Sequence, residues 1–260
     1  MKKFFTNMKK YYKYAIRSAK AELKSEVADS YLNWLWWVIE PLCFMLIYTF
    51  VFGVVFPNNE EYFGSFVMVG LAMWDFFNRM VTGSVKLITN NRDLVTKVYL
   101  PKYILLFSKS LTYLFKMCIS LGLAFGLMLF QHVPITWHFI LLIPVLVVLY
   151  VVSFGIGMIL MHHGVTFNDL GNLTNIALKM VFYLSGIFYN ITKRLKGMTR
   201  FLLLRLNPIA FLMNEARKAT IYGKFISLEG LGVWLFIGIL LCMYGVHVIH
   251  KYENSYAKVI

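Results

Sequence analysis

Asp75 and Arg79 stand four residues apart inside an otherwise apolar stretch. On a helix that spacing puts both on one face, where they can neutralise each other. They read as a structural ion pair ahead of a transport site. Glu40, followed by Pro41, interrupts another apolar stretch. A charge at that depth is costly and faces a protein interior or water, and proline kinks the helix that carries it. A third group lies between Thr192 and Gly230: Lys193, Arg194, Lys196, Arg200, Arg205, Arg217, Lys218 and Lys224, opposed only by Glu215 and Glu229. Arg forks and Lys point charges both suit phosphate. Within the group, Lys193, Arg194, Arg200, Arg205 and Arg217 are the candidate contacts for an anion at an exit.

Several chemistries have no motif. GxxxxGK(S/T) is absent, so no Walker-type phosphate loop is present, and neither HExxH nor GxSxG occurs. His162 and His163 are adjacent, and on a helix they diverge by about 100°, a poor metal pair. Cys43, Cys118 and Cys242 each lie in an apolar run without a CxxC partner, so neither a disulfide nor a zinc site is expected. Aromatic residues make up 17%. They form either the interfacial belt of a membrane protein or a pathway on which sugar rings stack.

The elements that carry these residues are membrane spans. Hydrophobic residues reach 59%, charged residues only 15%, and mean hydropathy is +0.65; soluble domains run nearer 45–50% apolar and about 25% charged. The fold class expected is an all-α integral membrane protein. Six spans are placed at about 34–56, 63–85, 103–130, 139–161, 173–191 and 231–249. Pro144 is expected to bend the fourth. Residues 1–31 are set apart as an interfacial segment: Phe4, Met8, Tyr11, Ala15, Ala19 and Leu23 recur at helical spacing, with lysines on the other side. Lys109, early in the third span, can snorkel to the membrane surface; Lys116 is deeper and faces protein or water. Residues 192–230 hold two short apolar pieces around Asn207-Pro208, the pattern of a re-entrant outer hairpin. Positive charge places both termini in the cytoplasm. The basic hairpin then lies outside, so its charges have a role there unless the span count is off by one. The net charge of +14 reads as loops facing anionic headgroups rather than nucleic acid.

The chain resembles the membrane permeases of type-two ABC exporters that move teichoic acids, O-antigens and capsular polysaccharides. The resemblance runs from about Leu23 to Ile260. It rests on Ser30-Tyr31-Leu32 with Trp36 and Pro41, Gly70-Leu71-Ala72-Met73-Trp74, Leu94 to Pro101, Tyr183 to Tyr189, Leu206-Asn207-Pro208 with Glu215-Ala216-Arg217, and the tail from Tyr256. The teichoic acid permeases look closest, through Gly70–Trp74 and Asn207-Pro208. The resemblance implies a homodimer with two copies of a separate ATPase that binds ATP and Mg, so this chain itself needs no cofactor. It implies a lipid-linked polymer as substrate, location in the bacterial cytoplasmic membrane, and ATPase coupling through Arg92, Asp93, Leu94, Lys97, Tyr99 and Asp169. Trp36, Glu40, Trp74, Tyr183, Phe188 and Tyr189 are candidates for the substrate path. Three departures stand out: Asn33 replaces a glycine, which puts close helix packing there in doubt. Asn168 stands where an arginine is common, and Gly186 replaces a proline, softening a kink. The alternatives are an exporter of small hydrophobic drugs or lipids, and a membrane-bound glycosyl- or acyltransferase.

Overall fold

The computed structural model describes residues 2–28, 31–55, 60–98 and 100–259. The Pro57-Asn58-Asn59 turn, Ser30 and Tyr99 lie outside the described residues. All regular structure among them is helical. Twelve α-helices follow in order: α1 (Lys2–Ala28), α2 (Trp36–Thr49), α3 (Phe63–Val85), α4 (Leu87–Asn90), α5 (Arg92–Lys97), α6 (Tyr103–Phe130), α7 (Leu142–Thr166), α8 (Leu170–Leu184), α9 (Ile191–Arg194), α10 (Gly197–Leu206), α11 (Pro208–Thr220) and α12 (Leu228–Val259). Among the described residues, four helical stretches are long and apolar enough to cross a bilayer: Asn33–Gly53, Tyr103–Phe130, Trp137–Thr166 and Leu228–Glu253.

The other two expected spans map to α3 and α8. α3 has 23 residues, enough for a crossing, but it sits at the centre of the packing against α2, α6, α7, α8 and α11. Protein therefore surrounds it, which explains why its sequence tolerates Asp75, Asn78 and Arg79. The expected fifth span, 173–191, is shorter than its apolar run. α8 has 15 residues, about 22 Å of helix, and ends at Leu184. Gly186 then adopts a left-handed φ of 67°, where a side chain would run into Ile191 and the Tyr189 carbonyl. The position therefore breaks the helix, and the expected soft kink is a turn.

Other expectations shift for similar local reasons. Pro144 falls in the first turn of α7, where a 3-10 turn at Trp137–Leu141 passes into α-helix, a position that tolerates its missing N–H. Asn33 has a φ of 49°. The position calls for left-handed backbone, which asparagine tolerates, and not for close packing. The last helix does not stop at residue 249; it runs unbroken to Val259.

α1 turns the expected apolar stripe toward the bundle: Ala15 and Ala19 are buried, while Lys9, Lys10, Lys13, Arg17, Lys20 and Lys24 are exposed. It packs along the first half of α6. Asn7 donates to the Tyr103 hydroxyl at 2.8 Å, and Ser108 donates to the Ala15 carbonyl at 3.1 Å. Farther along, Glu22 pairs with Lys109 and Glu26 with Lys116, the latter at 2.6 Å. Lys109 therefore meets a carboxylate of α1.

The Asn207-Pro208 break is present. The Asn207 carboxamide oxygen caps α11 by accepting from the Ile209 and Ala210 N–H groups at 3.0 and 3.2 Å, and its Nδ2 donates to Ser185 Oγ at 3.0 Å. That cap, with proline at the first helical position, is a strong start signal. α11 is buried against α3 and α7, while α10 has no buried residue.

Candidate translocation cavity

α3 presents Asp75, Asn78, Arg79 and Thr82 at spacings of three and four, which is one helix face. α2 faces it with Trp37, Glu40, Phe44 and Tyr48; α8 with Asn175, Lys179, Phe182 and Tyr183; α6 with Lys116 and Ser120. Together with Trp74 they line a cavity of about 710 Å³. Arg79 Nε donates to Asp75 at 2.7 Å, and its guanidinium lies 3.5 Å from Glu40. The expected ion pair therefore exists, and it extends across to the glutamate of α2. Both carboxylates and the arginine are partly open to the cavity.

Tyr183 also borders a smaller pocket of about 220 Å³ with Phe52, Phe188, Tyr189 and Arg194. Aromatic faces link the two. Trp74 lies 5.2 Å from Phe182, Phe182 5.3 Å from Phe188, and Phe188 stacks on Phe52 at 4.4 Å. Tyr48 packs on Phe188 at 4.6 Å. The result is an aromatic track that leaves the charged part of the cavity and ends beside Arg194.

The predicted path residues divide accordingly. Glu40, Trp74 and Tyr183 line the large cavity; Tyr183, Phe188 and Tyr189 line the small one. Trp36 is exposed at the start of α2 and belongs to neither. Sequence reasoning missed Tyr48, Phe182 and Lys179. The signal was available in α8, where Asn175, Lys179 and Tyr183 repeat every four residues in an apolar helix.

The predicted exit cations also separate. Lys193 pairs with Glu60 at 3.0 Å, and Glu60 accepts from the Tyr222 hydroxyl at 2.7 Å. Burial, then the bond to Glu60, raises the Tyr222 pKa and holds the phenol protonated. Arg200 and Arg205 are exposed on α10, with Arg205 over the Phe201 ring. Arg217 does not belong with them. Its guanidinium is buried and donates to the Phe66, Gly186 and Ile187 carbonyls at 3.1, 2.7 and 2.9 Å. It also stacks on the Phe66 ring, 3.4 Å from the centroid. With its donors spent on backbone, it has no face to offer an anion.

At the end of the bundle where α3 gives way to α6, α5 carries the predicted coupling residues. It ends at Lys97 because Val98 is extended. Arg92, Asp93, Thr96 and Lys97 are exposed, while Leu94 is half-buried and Val95 is buried. Lys102 ties this segment down by donating to the Val95 carbonyl at 3.2 Å, and burial lowers its pKa against the pull of Glu253. Asp169 is exposed at the foot of α8, on the same end, since Gly171 lies beside Lys86.

Residues 16–221 match the family described as ABC-2 type transporter. The chain is 33% identical over 201 residues, 77% of each chain, to the O-antigen export system permease protein RfbA of Myxococcus xanthus. It is 24% identical over 245 residues, 92% of each chain, to the O-antigen export system permease protein RfbA of Klebsiella pneumoniae. It is 26% identical over 247 residues, 85% of this chain and 88% of the relative, to the polysialic acid transport protein KpsM of Escherichia coli. With the family match running from α1 through α11, the chain belongs to the ABC-2 type transporter family.

Proposed function

We propose that the chain is the membrane permease subunit of an ATP-driven exporter of a lipid-linked cell-surface polysaccharide. It works as a homodimer with two copies of a separate ATPase, and six crossings of the cytoplasmic membrane place both termini inside. One observation carries the substrate reading: the aromatic track from Trp74 through Phe182 to Phe188 and Phe52. Flat ring faces match the apolar faces of sugars, while the polar groups of the cavity can hydrogen-bond their hydroxyls. The export and transport names of the relatives fit the same reading. Family membership and the names of the relatives support a permease over an enzyme.

In this reading α5 rests on the ATPase, with Arg92, Asp93 and Lys97 as its contact residues and Asp169 beside them. Arg194, Arg200 and Arg205 meet phosphates at the outer surface, those of the lipid carrier or of headgroups. The test is reconstitution with the partner ATPase in vesicles. Trp74→Ala and Tyr183→Ala should each lower polymer export while ATPase assembly is kept. Full export by both variants would reject the path.

A further inference from the structure

We propose that the last turns of α12 are the backing on which α5 rests, and that Tyr256 and Glu253 are positioning residues for the step that ATP drives. The inference rests on the reading of α5 as the ATPase contact and deepens it. α12 does not end where its apolar run ends. Residues 250–259 add about 15 Å of helix at the end of the bundle that carries α5. Terminal residues fray unless they are tied down, and these are docked. Ile249, Glu253 and Tyr256 follow one another at spacings of four and three, which is one helix face. Ile249 and Tyr256 are buried, while His250 and Lys251 are exposed.

Two sets of contacts fix that face. The Tyr256 hydroxyl lies 2.8 Å from Nδ1 of His162 on α7, and Tyr252 sets its ring 4.9 Å from the same imidazole. Burial, then Glu253, raises the Tyr256 pKa and keeps the phenol protonated. Glu253 reaches toward the segment after α5. Lys102 is buried there, with its ammonium donating to the Val95 carbonyl at 3.2 Å. A buried ammonium is costly without a counter-charge, and Glu253 supplies one by opposing the loss of its proton. One oxygen of Glu253 is itself buried and has no hydrogen-bond partner among the described residues, a cost that the same ammonium offsets. α5 packs against α4, its neighbour in the chain, and against α12. A push on Arg92, Asp93 or Lys97 therefore passes through Val95 and Lys102 to the end of α12, and from Tyr256 into α7. Without that latch α5 would yield to the ATPase and move alone.

The test uses the whole permease–ATPase complex in lipid nanodiscs, with amide hydrogen exchange read along the chain, and surface polymer measured in cells that make it. Tyr256→Phe removes one hydroxyl and keeps the ring. The amides of α5 should then exchange about three- to tenfold faster, as expected for the loss of one hydrogen bond. α3 and α6 should exchange as before, the ATPase should copurify, and surface polymer should fall. Glu253→Gln should act in the same direction. His162→Leu should match Tyr256→Phe, whereas His162→Asn, whose carboxamide places a polar atom near the position of Nδ1, should keep both α5 protection and export. Unchanged exchange at α5 in Tyr256→Phe, or faster exchange there with full export, overturns the backing and leaves the ATPase contact standing. If Asp93→Ala/Lys97→Ala exports fully, α5 is not the contact and both readings fall together.

Discussion

Gly70 and Arg217 occupy adjoining space: a Cβ on Gly70 would collide with the Arg217 guanidinium. The arginine reaches through that gap from α11 to the Gly186 and Ile187 carbonyls beyond α8. One side chain thus joins α3, the turn after α8 and the short helix after the Asn207-Pro208 break. Removing it with Arg217→Met should cost about 1–3 kcal/mol for each carbonyl left buried and unsatisfied. Gly70→Ala should destabilise through the same contact. Thermal melting of the detergent-solubilised protein checks both, and a melting point unchanged by either would show that the arginine does not hold these elements.

The Arg79–Asp75 pair behaves differently, because its side chains are 30% and 43% exposed. Solvent screening limits such a pair to about 0.2–1 kcal/mol. Asp75→Asn should therefore shift melting only slightly. On the proposed path its effect should appear in transport, because an unneutralised Arg79 would alter what the cavity accepts. A large loss of stability with unaltered export would make the pair a purely structural feature.

α5 is held from below by Val95 and Lys102, while its outer side is free to touch another protein. The Asp93–Lys97 pair is 3.0 Å apart and almost fully exposed, so its loss should leave folding intact. Asp93→Ala/Lys97→Ala should lower polymer-stimulated ATP hydrolysis with membrane insertion unchanged. A cysteine at Thr96 should label from the cytoplasm only; labelling from outside would overturn the assigned orientation.

The four helical stretches long enough to cross a bilayer were legible as apolar runs of membrane length. The ends were not. Gly186 ends α8 through its own left-handed backbone and the space taken by Ile191, and a hydropathy run carries no sign of either. In the candidate site, the i, i+4 spacing foretold the Asp75–Arg79 pair, but nothing local tied Glu40 to it. That contact joins residues 39 positions apart and exists only once α2 lies on α3. Arg217 was misread for the same reason. Composition placed it among exit cations, while its partners are carbonyls contributed by α3 and by the turn after α8.

The pairing of α1 with α6 yields a prediction with its own control. Lys116 is 13% exposed, and Glu26 of α1 is its partner at 2.6 Å. Lys109 relies on Glu22 in the same way. Deleting residues 1–28 leaves both ammonium groups in partly buried positions without a carboxylate. Breaking a fully buried pair costs about 3–5 kcal/mol, so these partly exposed pairs should cost about 1–3 kcal/mol each. The truncated chain should melt lower and export poorly. Lys109→Met/Lys116→Met in the truncated chain removes the stranded charges and should restore much of the stability. Export should stay low if the basic outer face of α1, including Lys13, Arg17 and Lys20, also serves substrate entry or ATPase assembly. Recovery of export together with stability would limit α1 to neutralising α6.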